Sequence, residues 1–280
     1  MKDIEVFAPA KITWSLDIAG RRADGYHLLC ALMQEISLKD RVRLQLSAYD
    51  EMLCFPSLPD DSDNLAMRAW KMLREKFGIR DCLHISIEKN IPVGGGLAGG
   101  SSNAAAVIKA ANEMFKLGMT TDDMCGLGLL LGADLPFCIS GGFALVEGIG
   151  EKLTPLMGKK YNLVIINQGI PVSTAQVYKN FSLQSKYQRP DIEKLIKVLS
   201  KGSISEVAAL CGNALEAPAL MLHPEIAVIK EFCSAMGQAV LMSGSGGSVW
   251  VLTESEAHAE DCAKELKLRF PFVQVVHTII

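Results

Sequence analysis

The stretch that most constrains the fold of this 280-residue chain reads Ile91-Pro92-Val93-Gly94-Gly95-Gly96-Leu97-Ala98-Gly99-Gly100-Ser101-Ser102-Asn103-Ala104-Ala105-Ala106. Its glycines let the backbone turn N–H groups inward with no Cβ in the way, which forms a concave nest for anions. Ser101 or Ser102 then begins an almost wholly apolar helix that runs to Phe115. The positive N-terminal end of that helix points at the same spot, so the stretch predicts a phosphate-binding loop.

Two other nucleotide-binding loops do not fit this stretch. A Walker A loop requires Lys followed by Ser or Thr after its last glycine, and Gly100 is followed by two serines. A dinucleotide-binding turn needs fewer small residues than are present here. A flexible linker is the remaining alternative, but a linker does not run straight into an Ala-rich buried helix. Phosphate binding is therefore favoured.

The elements around the loop are mixed. Strict alternation predicts a strand over 11–18, with Trp14 toward the core and Lys11 and Thr13 on the opposite face. Further strands are expected near 29–36, 41–47, 84–89, 163–167, 239–242, 248–252 and 272–277, and helices near 63–77, 101–115, 121–131, 191–200, 204–211, 224–236 and 254–268. Strands dominate early and helices later without βα alternation, which predicts an α+β fold in two lobes, 1–157 and 158–280.

Composition excludes several classes of protein. The net charge is −3, with Lys+Arg 28 against Asp+Glu 31, and no basic run could neutralise a nucleic-acid backbone. The hydrophobic fraction of 49% is too high for a disordered chain. We therefore expect a globular protein that binds no nucleic acid.

Cysteine usage and hydropathy predict a cytoplasmic protein with no membrane segment. The eight cysteines are scattered singly, without C-x-x-C spacing, as is typical of free thiols in a reducing compartment. The acidic N-terminus does not resemble a signal peptide. The apolar stretch over 124–146 is interrupted by Asp134, Pro136 and several glycines, which argues against a membrane span.

Three further candidates stay open on local sequence alone. Asp134, in Gly132-Ala133-Asp134-Leu135-Pro136-Phe137, could be reactive or could cap a helix. Lys11 begins a strand, where a solvated lysine is the usual case. The small-residue turn over 242–249 could be a plain hairpin or a second wall against a ligand.

Taken together, three segments resemble the motifs of the GHMP small-molecule kinases, which include galactokinase, homoserine kinase and mevalonate kinase. The segments are Pro9-Ala10-Lys11-Ile12, residues 92–102, and Met242-Ser243-Gly244-Ser245-Gly246. Within that family, five more segments resemble the branch that acts on CDP-methylerythritol in the non-mevalonate isoprenoid pathway: 20–27, 63–65, 132–137, 142–148 and 172–178. The resemblance spans almost the entire chain.

This resemblance implies a ribosomal-S5-like N-terminal lobe, a ferredoxin-like C-terminal lobe and a site in the cleft between them. It implies ATP and Mg²⁺ as cofactors and phosphorylation of the 2-hydroxyl, a tertiary alcohol, of CDP-methylerythritol. Asp134 would be the general base and Lys11 its cationic partner. A lysine near an aspartate keeps the carboxylate ionised and stabilises charge on the attacking oxygen.

The resemblance also implies three groups of binding residues. Those expected at the adenine are Asn64, Leu65 and Lys89. Those expected at the ATP phosphates are Pro92, Gly94, Gly95, Gly96, Leu97, Ala98, Gly99, Gly100, Ser101 and Ser102. Those expected at the substrate are Thr13, Tyr26, His27, Thr174, Tyr178, Gly244 and Ser245, with the aromatic rings and the imidazole at the cytosine.

The sequence departs from the family at a few positions. Thr13 and Trp14 replace the usual Asn and Leu, Gly247 and Trp250 are less usual, and Ala98 replaces a glycine. The change at Ala98 is mild unless its φ is positive. Two alternatives therefore remain, a kinase for another small alcohol and a catalytically silent nucleotide-binding relative. The Mg²⁺ ligands and the oligomeric state are not predicted.

Overall fold

The computed structural model describes residues 3–57, 64–182, 187 and 189–280. Its strands are β1 Asp3–Arg21, β2 His27–Ser47, β3 Glu51–Phe55, β4 Cys82–Glu88, β5 Phe143–Gly148, β6 Lys152–Pro155, β7 Asn162–Asn167, β8 Gly212–Asn213, β9 Ala239–Met242, β10 Ser248–Thr253 and β11 Phe272–His277. Its helices are α1 Leu65–Phe77, α2 Gly99–Phe115, α3 Thr121–Leu129, α4 Leu135–Ser140, α5 Thr174–Asn180, α6 Ile192–Lys201, α7 Ile204–Leu210, α8 Glu216–Leu222, α9 Pro224–Ala235 and α10 Glu256–Leu266.

The chain forms two units that are not contiguous in sequence. The first unit contains residues up to 10, 38–91 and 98–141, and the second contains 11–37, 92–97 and 142–280. Strands β1 and β2 contribute residues to both. The boundary near residue 157 stays a prediction.

The first unit is a sheet covered by helices. Its strands are ordered β3-β4-β2-β1, with β4 antiparallel to β2 and β3 parallel to β4. Alternating apolar residues of β4, such as Leu83 and Ile85, are fully buried. They pack in one core cluster with Trp70 of α1 and Ile108 of α2. Burial of this apolar face stabilises the unit.

The second unit has a four-stranded antiparallel sheet, ordered β11-β7-β10-β9. Strands β5 and β6 extend β2 by antiparallel pairing. Trp14 of β1 packs edge-on against Trp250 of β10 and against Tyr161, each at 5.1 Å between ring centroids. The Trp250 indole N–H donates to the carbonyl of Thr13 at 3.2 Å. Trp14 and Trp250, two of the unusual residues of the sequence, thus contact each other. Trp250 also bonds to the backbone of a third, Thr13.

The predicted α+β class is confirmed. The two strands predicted at 29–36 and 41–47 are wrong as separate elements, because β2 runs unbroken through both. The predicted start of α2 at Ser101 or Ser102 is also wrong, since the helix begins at Gly99. The predicted start of α1 at Asp63 lies outside the described residues.

The short strands β3, β5, β6 and β8 and the short helices α4, α5 and α8 were not predicted, because segments of two to seven residues carry little periodicity. In the described part of the chain, none of the helices is both long enough and apolar enough to cross a membrane.

Candidate active site

The glycine-rich segment, which we call the phosphate loop (residues 92–102), uses its carbonyl and N–H groups differently. The carbonyls of Gly94, Gly95 and Leu97 accept hydrogen bonds from the N–H groups of Val172, Ser248 and Lys11, respectively, at 3.0–3.1 Å. The Gly96 carbonyl accepts from Lys11 Nζ and Ser243 Oγ at 3.0 and 3.1 Å. By contrast, the backbone N–H groups of 94–101 donate to no acceptor among the described residues. A run of N–H groups left without a protein acceptor is the arrangement expected of an anion nest.

Gly96 is the position where the loop requires glycine. Its φ is +70°, and a Cβ there would lie 2.1 Å from the carbonyl oxygen of Ser243. That separation is far inside van der Waals contact with a backbone atom. The loop can therefore approach the turn over 243–247 only because residue 96 has no side chain.

Helix α2 begins without a side-chain cap. Ala98 precedes it in the left-handed region, with φ +57°, and makes no capping hydrogen bond. The hydroxyl of Ser102 donates instead to the carbonyl of Pro9 at 2.7 Å. The N–H groups of Gly99, Gly100 and Ser101 are left at the positive end of the helix. The substitution of alanine for glycine at 98 thus falls where φ is positive, so it is not a mild one.

The three predicted kinase motifs meet at one atom in the second unit. The Gly96 carbonyl oxygen accepts hydrogen bonds from Lys11 Nζ at 3.0 Å and from Ser243 Oγ at 3.1 Å. Lys11 is only 3% exposed, so the expectation of a solvated strand-end lysine is wrong. The reason is that both faces of β1 are covered at this point.

Thr13 forms a direct hydrogen bond with Lys11. Its Oγ1 accepts a hydrogen bond from Lys11 Nζ at 3.2 Å, and the residue is fully buried. With the Gly96 carbonyl, it gives the buried ammonium two oxygen partners. A buried cation is costly without such partners. Here the threonine hydroxyl lies against the lysine.

The turn over 243–247 is more than a plain hairpin. Asn213 Nδ2 donates to the carbonyls of Met242 and Gly244 at 2.9 and 2.7 Å. Thr174 and Ser245 share a hydrogen bond between their hydroxyls at 2.8 Å. The turn is therefore tied to other parts of the second unit. Sequence analysis missed Asn213, because a lone asparagine in a short segment gives no signal.

Asp134 lies in the first unit at the start of α4, the position of a helix N-cap. Its side chain makes no capping hydrogen bond, and no other described residue bonds to it. The residue is partly exposed. A carboxylate in this state is available to accept a proton. The local sequence left capping and reactivity open; the structure shows no side-chain cap at Asp134, and its role as general base stays a prediction.

The predicted adenine-site residues also lie in the first unit, but two have structural partners. Asn64 caps α1 by accepting from the N–H of Ala66 at 2.9 Å. Lys89 forms an ion pair with Asp40, and both side chains are almost fully buried. Leu65 is the first residue of α1 and lies beside the start of α2, because a Cβ on Gly100 would be 3.8 Å from its Cδ1.

Two of the three predicted cytosine-site rings lie together in the second unit. The centroids of His27 and Tyr178 are 5.3 Å apart, with the planes inclined at 37°. Tyr26 is 60% exposed, which leaves one ring open to solvent. Burial, and to a lesser degree the positive charge of Arg21, lower the pKa of His27 below its usual 6.5. The imidazole is therefore neutral at pH 7.

No group of three or more His, Cys, Asp or Glu side chains suited to a metal lies together in the part of the chain that the structure describes. Mg²⁺ in kinases is commonly held by one or two carboxylates together with substrate phosphates. The described residues identify no magnesium ligand.

Two family models match the chain. The model described as GHMP kinases N terminal domain matches residues 64–142, and the model described as GHMP kinases C terminal matches residues 184–271. The chain belongs to the GHMP kinase family. The family predicted from the three motifs is confirmed.

Two similar proteins carry the same name. A Clostridium botulinum (strain Alaska E43 / Type E3) protein named 4-diphosphocytidyl-2-C-methyl-D-erythritol kinase is 41% identical over 99% of this chain and 100% of the relative. A Geobacillus kaustophilus (strain HTA426) protein of the same name is 41% identical over 92% of this chain and 90% of the relative.

Two solved structures of kinases are similar to this chain. A crystal structure of 4-(cytidine 5'-diphospho)-2C-methyl-D-erythritol kinase matches with a TM-score of 0.84 and 32% identity, over 98% of this chain and 99% of that one. A homoserine kinase from Cytophaga hutchinsonii matches with a TM-score of 0.75 at 20% identity, over 100% of this chain and 95% of that one. The second match shows the fold alone.

Proposed function

We propose that this chain transfers the γ-phosphoryl group of ATP to the 2-hydroxyl of 4-diphosphocytidyl-2-C-methyl-D-erythritol. The relatives of that name, 41% identical over up to 99% of the chain, support the choice of substrate. The observation that carries the phosphoryl chemistry is the phosphate loop, where residues 94–97 have bonded carbonyls and the N–H groups of 94–101 have no acceptor among the described residues.

Asp134 is the general base in this proposal. The substrate hydroxyl loses its proton to the Asp134 carboxylate as its oxygen bonds to the γ-phosphorus, and the bond to the β,γ-bridging oxygen breaks to release ADP. Lys11 supplies positive charge to the attacking oxygen and the transferred group. Thr13 and the Gly96 carbonyl hold the Lys11 ammonium at 3.2 and 3.0 Å.

The phosphate loop binds the ATP phosphates through its backbone N–H groups and the positive end of α2. Leu65 offers an apolar surface to the adenine. Asn64 and Lys89 stay candidates for the adenine site, although their polar atoms already have partners in the first unit. We therefore expect Asn64 and Lys89 to act on nucleotide binding chiefly through the structure they maintain.

His27, Tyr178 and Tyr26 bind the cytosine. A neutral imidazole both donates and accepts a hydrogen bond, which suits a nucleobase edge, and aromatic faces stack on the ring. Thr174, Gly244 and Ser245 approach the substrate phosphates or the diol. The hydrogen bond between Thr174 and Ser245 supports a shared role for that pair.

Mg²⁺ neutralises charge on the phosphates in such reactions, and its ligands are not assigned. We also infer a cytoplasmic enzyme, because ATP is a cytoplasmic substrate. All eight cysteines lie in the described part of the chain, and none forms a disulfide.

The test is phosphate transfer from γ-labelled ATP with Mg²⁺ to a panel of CDP-methylerythritol, homoserine, mevalonate and galactose. We expect product only with CDP-methylerythritol, at a rate that Asp134→Asn lowers by about 10²–10⁴. Transfer to another alcohol would replace the substrate. Binding of ATP with no transfer to any acceptor would indicate a silent relative.

A further inference from the structure

One buried carboxylate bonds to both ends of the phosphate loop. Asp40 lies on β2 and is fully buried. Its Oδ1 accepts the N–H groups of Asn90 at 2.7 Å and Ile91 at 2.9 Å, the last two residues before the loop. Its Oδ2 accepts from Asn103 Nδ2 at 2.8 Å, in the first residue after the loop, and from the ammonium of Lys89.

These three side chains close a triangle. Lys89 Nζ also donates to Asn103 Oδ1 at 2.9 Å, so Asp40, Lys89 and Asn103 each bond to the other two. The triangle lies beside the start of α2, because a Cβ on Gly99 would be 3.3 Å from Lys89 Nζ. The same Cβ would be 2.9 Å from Ile91 Cγ2. The first helical residue is thus packed directly against the residues that Asp40 holds.

A glycine-rich loop with free N–H groups loses much conformational entropy when it is held in one shape. Fixing both of its ends lowers that cost before a ligand arrives, and preorganisation of this kind raises affinity. We propose that Asp40 is a positioning residue of the phosphate loop, holding its entry through Asn90 and Ile91 and its exit through Asn103. This inference rests on the proposed function, since it assumes that the loop binds ATP.

The loss of the Asp40 charge in Asp40→Asn allows two effects on ATP affinity to be told apart. Asp40→Asn removes a negative charge near the start of α2 and leaves the Lys89 ammonium without its counter-ion. Electrostatics alone would then strengthen the binding of an anion. Loss of loop positioning would weaken it. The direction of the change in ATP affinity therefore separates the two effects.

The test is calorimetric titration with a non-hydrolysable ATP analogue and Mg²⁺. We expect Asp40→Asn to weaken binding by about tenfold, because the amide NH2 that replaces one carboxylate oxygen faces N–H donors and disrupts the hydrogen bonds at that end of the loop. Asn103→Ala changes no charge and removes hydrogen bonds only at the residue that follows the loop. We therefore expect affinity for the analogue to fall by about threefold to tenfold. If Asp40→Asn does not fold, Asn103→Ala decides the question.

Two matched controls lie in the same unit. Asp50 accepts hydrogen bonds from Trp70 Nε1, Arg74 and the N–H of Leu83 at 2.6–2.9 Å, so it is a second carboxylate hub that touches no part of the loop. Asn112 donates to the carbonyl of Met119 and accepts from its N–H, both at 3.0 Å, near the other end of α2. We expect Asp50→Asn and Asn112→Ala to lower Tm but to keep affinity within about twofold of wild type.

The outcomes separate the inference from the function. A wild-type protein that does not bind the analogue would overturn both. Wild-type affinity retained in Asn103→Ala, and in Asp40→Asn where it folds, would overturn the inference and leave the proposed function intact. Equal losses in the two controls would also overturn it, because general destabilisation would then explain the effect.

Discussion

Helices α1 and α2 lie side by side in one core but begin in opposite ways. Helix α1 has a side-chain N-cap, in which Asn64 accepts from the N–H of Ala66 at 2.9 Å. Helix α2 has none, and Ala98 precedes it at φ +57°. Asn64 satisfies a donor internally, whereas α2 leaves its first N–H groups without acceptors among the described residues. The difference shows which helix end is built for structure and which is free to bind an anion.

The backbone of the phosphate loop shows the same contrast between groups bonded within the protein and groups left for a ligand. In residues 94–97 every carbonyl bonds to another segment of the second unit, while no N–H of 94–97 has an acceptor among the residues described. One edge of the backbone is thus used to hold the loop in place and the other edge is left for a ligand. A flexible linker would show neither feature.

The largest effect is expected for Asp134, which acts on the proton of the substrate hydroxyl and not on the ATP phosphates. Asp134→Asn keeps the shape of the side chain and removes the base, so we expect kcat to fall by about 10²–10⁴ with ATP affinity unchanged. Steady-state kinetics and calorimetry on one preparation measure both.

The control is Asp191→Asn, at an N-cap where the side chain accepts from the N–H of Lys194 at 3.0 Å. It should lower stability slightly and leave kcat near wild type. If Asp134→Asn keeps more than a third of the wild-type kcat, Asp134 is not the base.

A smaller effect is expected at Thr13. Thr13→Val removes one of the two oxygen partners of Lys11 Nζ, so we expect kcat to fall about tenfold while ATP affinity changes little. Thr13→Ser keeps the hydroxyl and should retain most of the activity. Equal kcat values in Thr13→Val and wild type would show that the hydrogen bond to Lys11 has no catalytic role.

The cap of α1 should matter for stability. Asn64→Ala removes the hydrogen bond to Ala66, and we expect it to lower the free energy of unfolding by about 1 kcal/mol. Asn64→Asp keeps the capping oxygen and should be near wild type in denaturant titrations. A raised KM for ATP in Asn64→Asp, where the cap is intact, would mean that the side-chain amide contacts the nucleotide.

The smallest effects are expected where α2 begins and ends in the left-handed region. Ala98 and Lys116 have φ +57° and +52°. Glycine relieves strain there but adds freedom to the unfolded chain, so we expect Ala98→Gly and Lys116→Gly each to stabilise by about 0.5 kcal/mol. Thermal unfolding measures both. A loss of more than 1 kcal/mol in either would contradict the strain argument.

The sequence was sufficient for the parts of the fold with strong local patterns. Alternation located β4, and the helical pattern near 63–77 located α1, which ends at Phe77 as predicted, because those signals are local. It was also sufficient for the family, through short motifs that are spread along almost the entire chain.

Other features depended on contacts distant in sequence. Ser102 looked like the start of a helix, but its hydroxyl is drawn to Pro9, 93 residues away in the chain. Asp40 gave no signal as a single aspartate in a strand, although it bonds to residues about 50 and 63 positions further on. Lys11 looked solvated because the segments that cover it could not be located from alternation.

The most direct measurement of the central claim is a backbone amide NMR titration of the full chain with a non-hydrolysable ATP analogue and Mg²⁺. The amide signals of residues 94–101, which have no acceptor among the described residues, should show the largest shifts, and that of Ala66, already bonded to Asn64, should move little. Saturable binding that leaves the 94–101 amides unshifted would contradict the account.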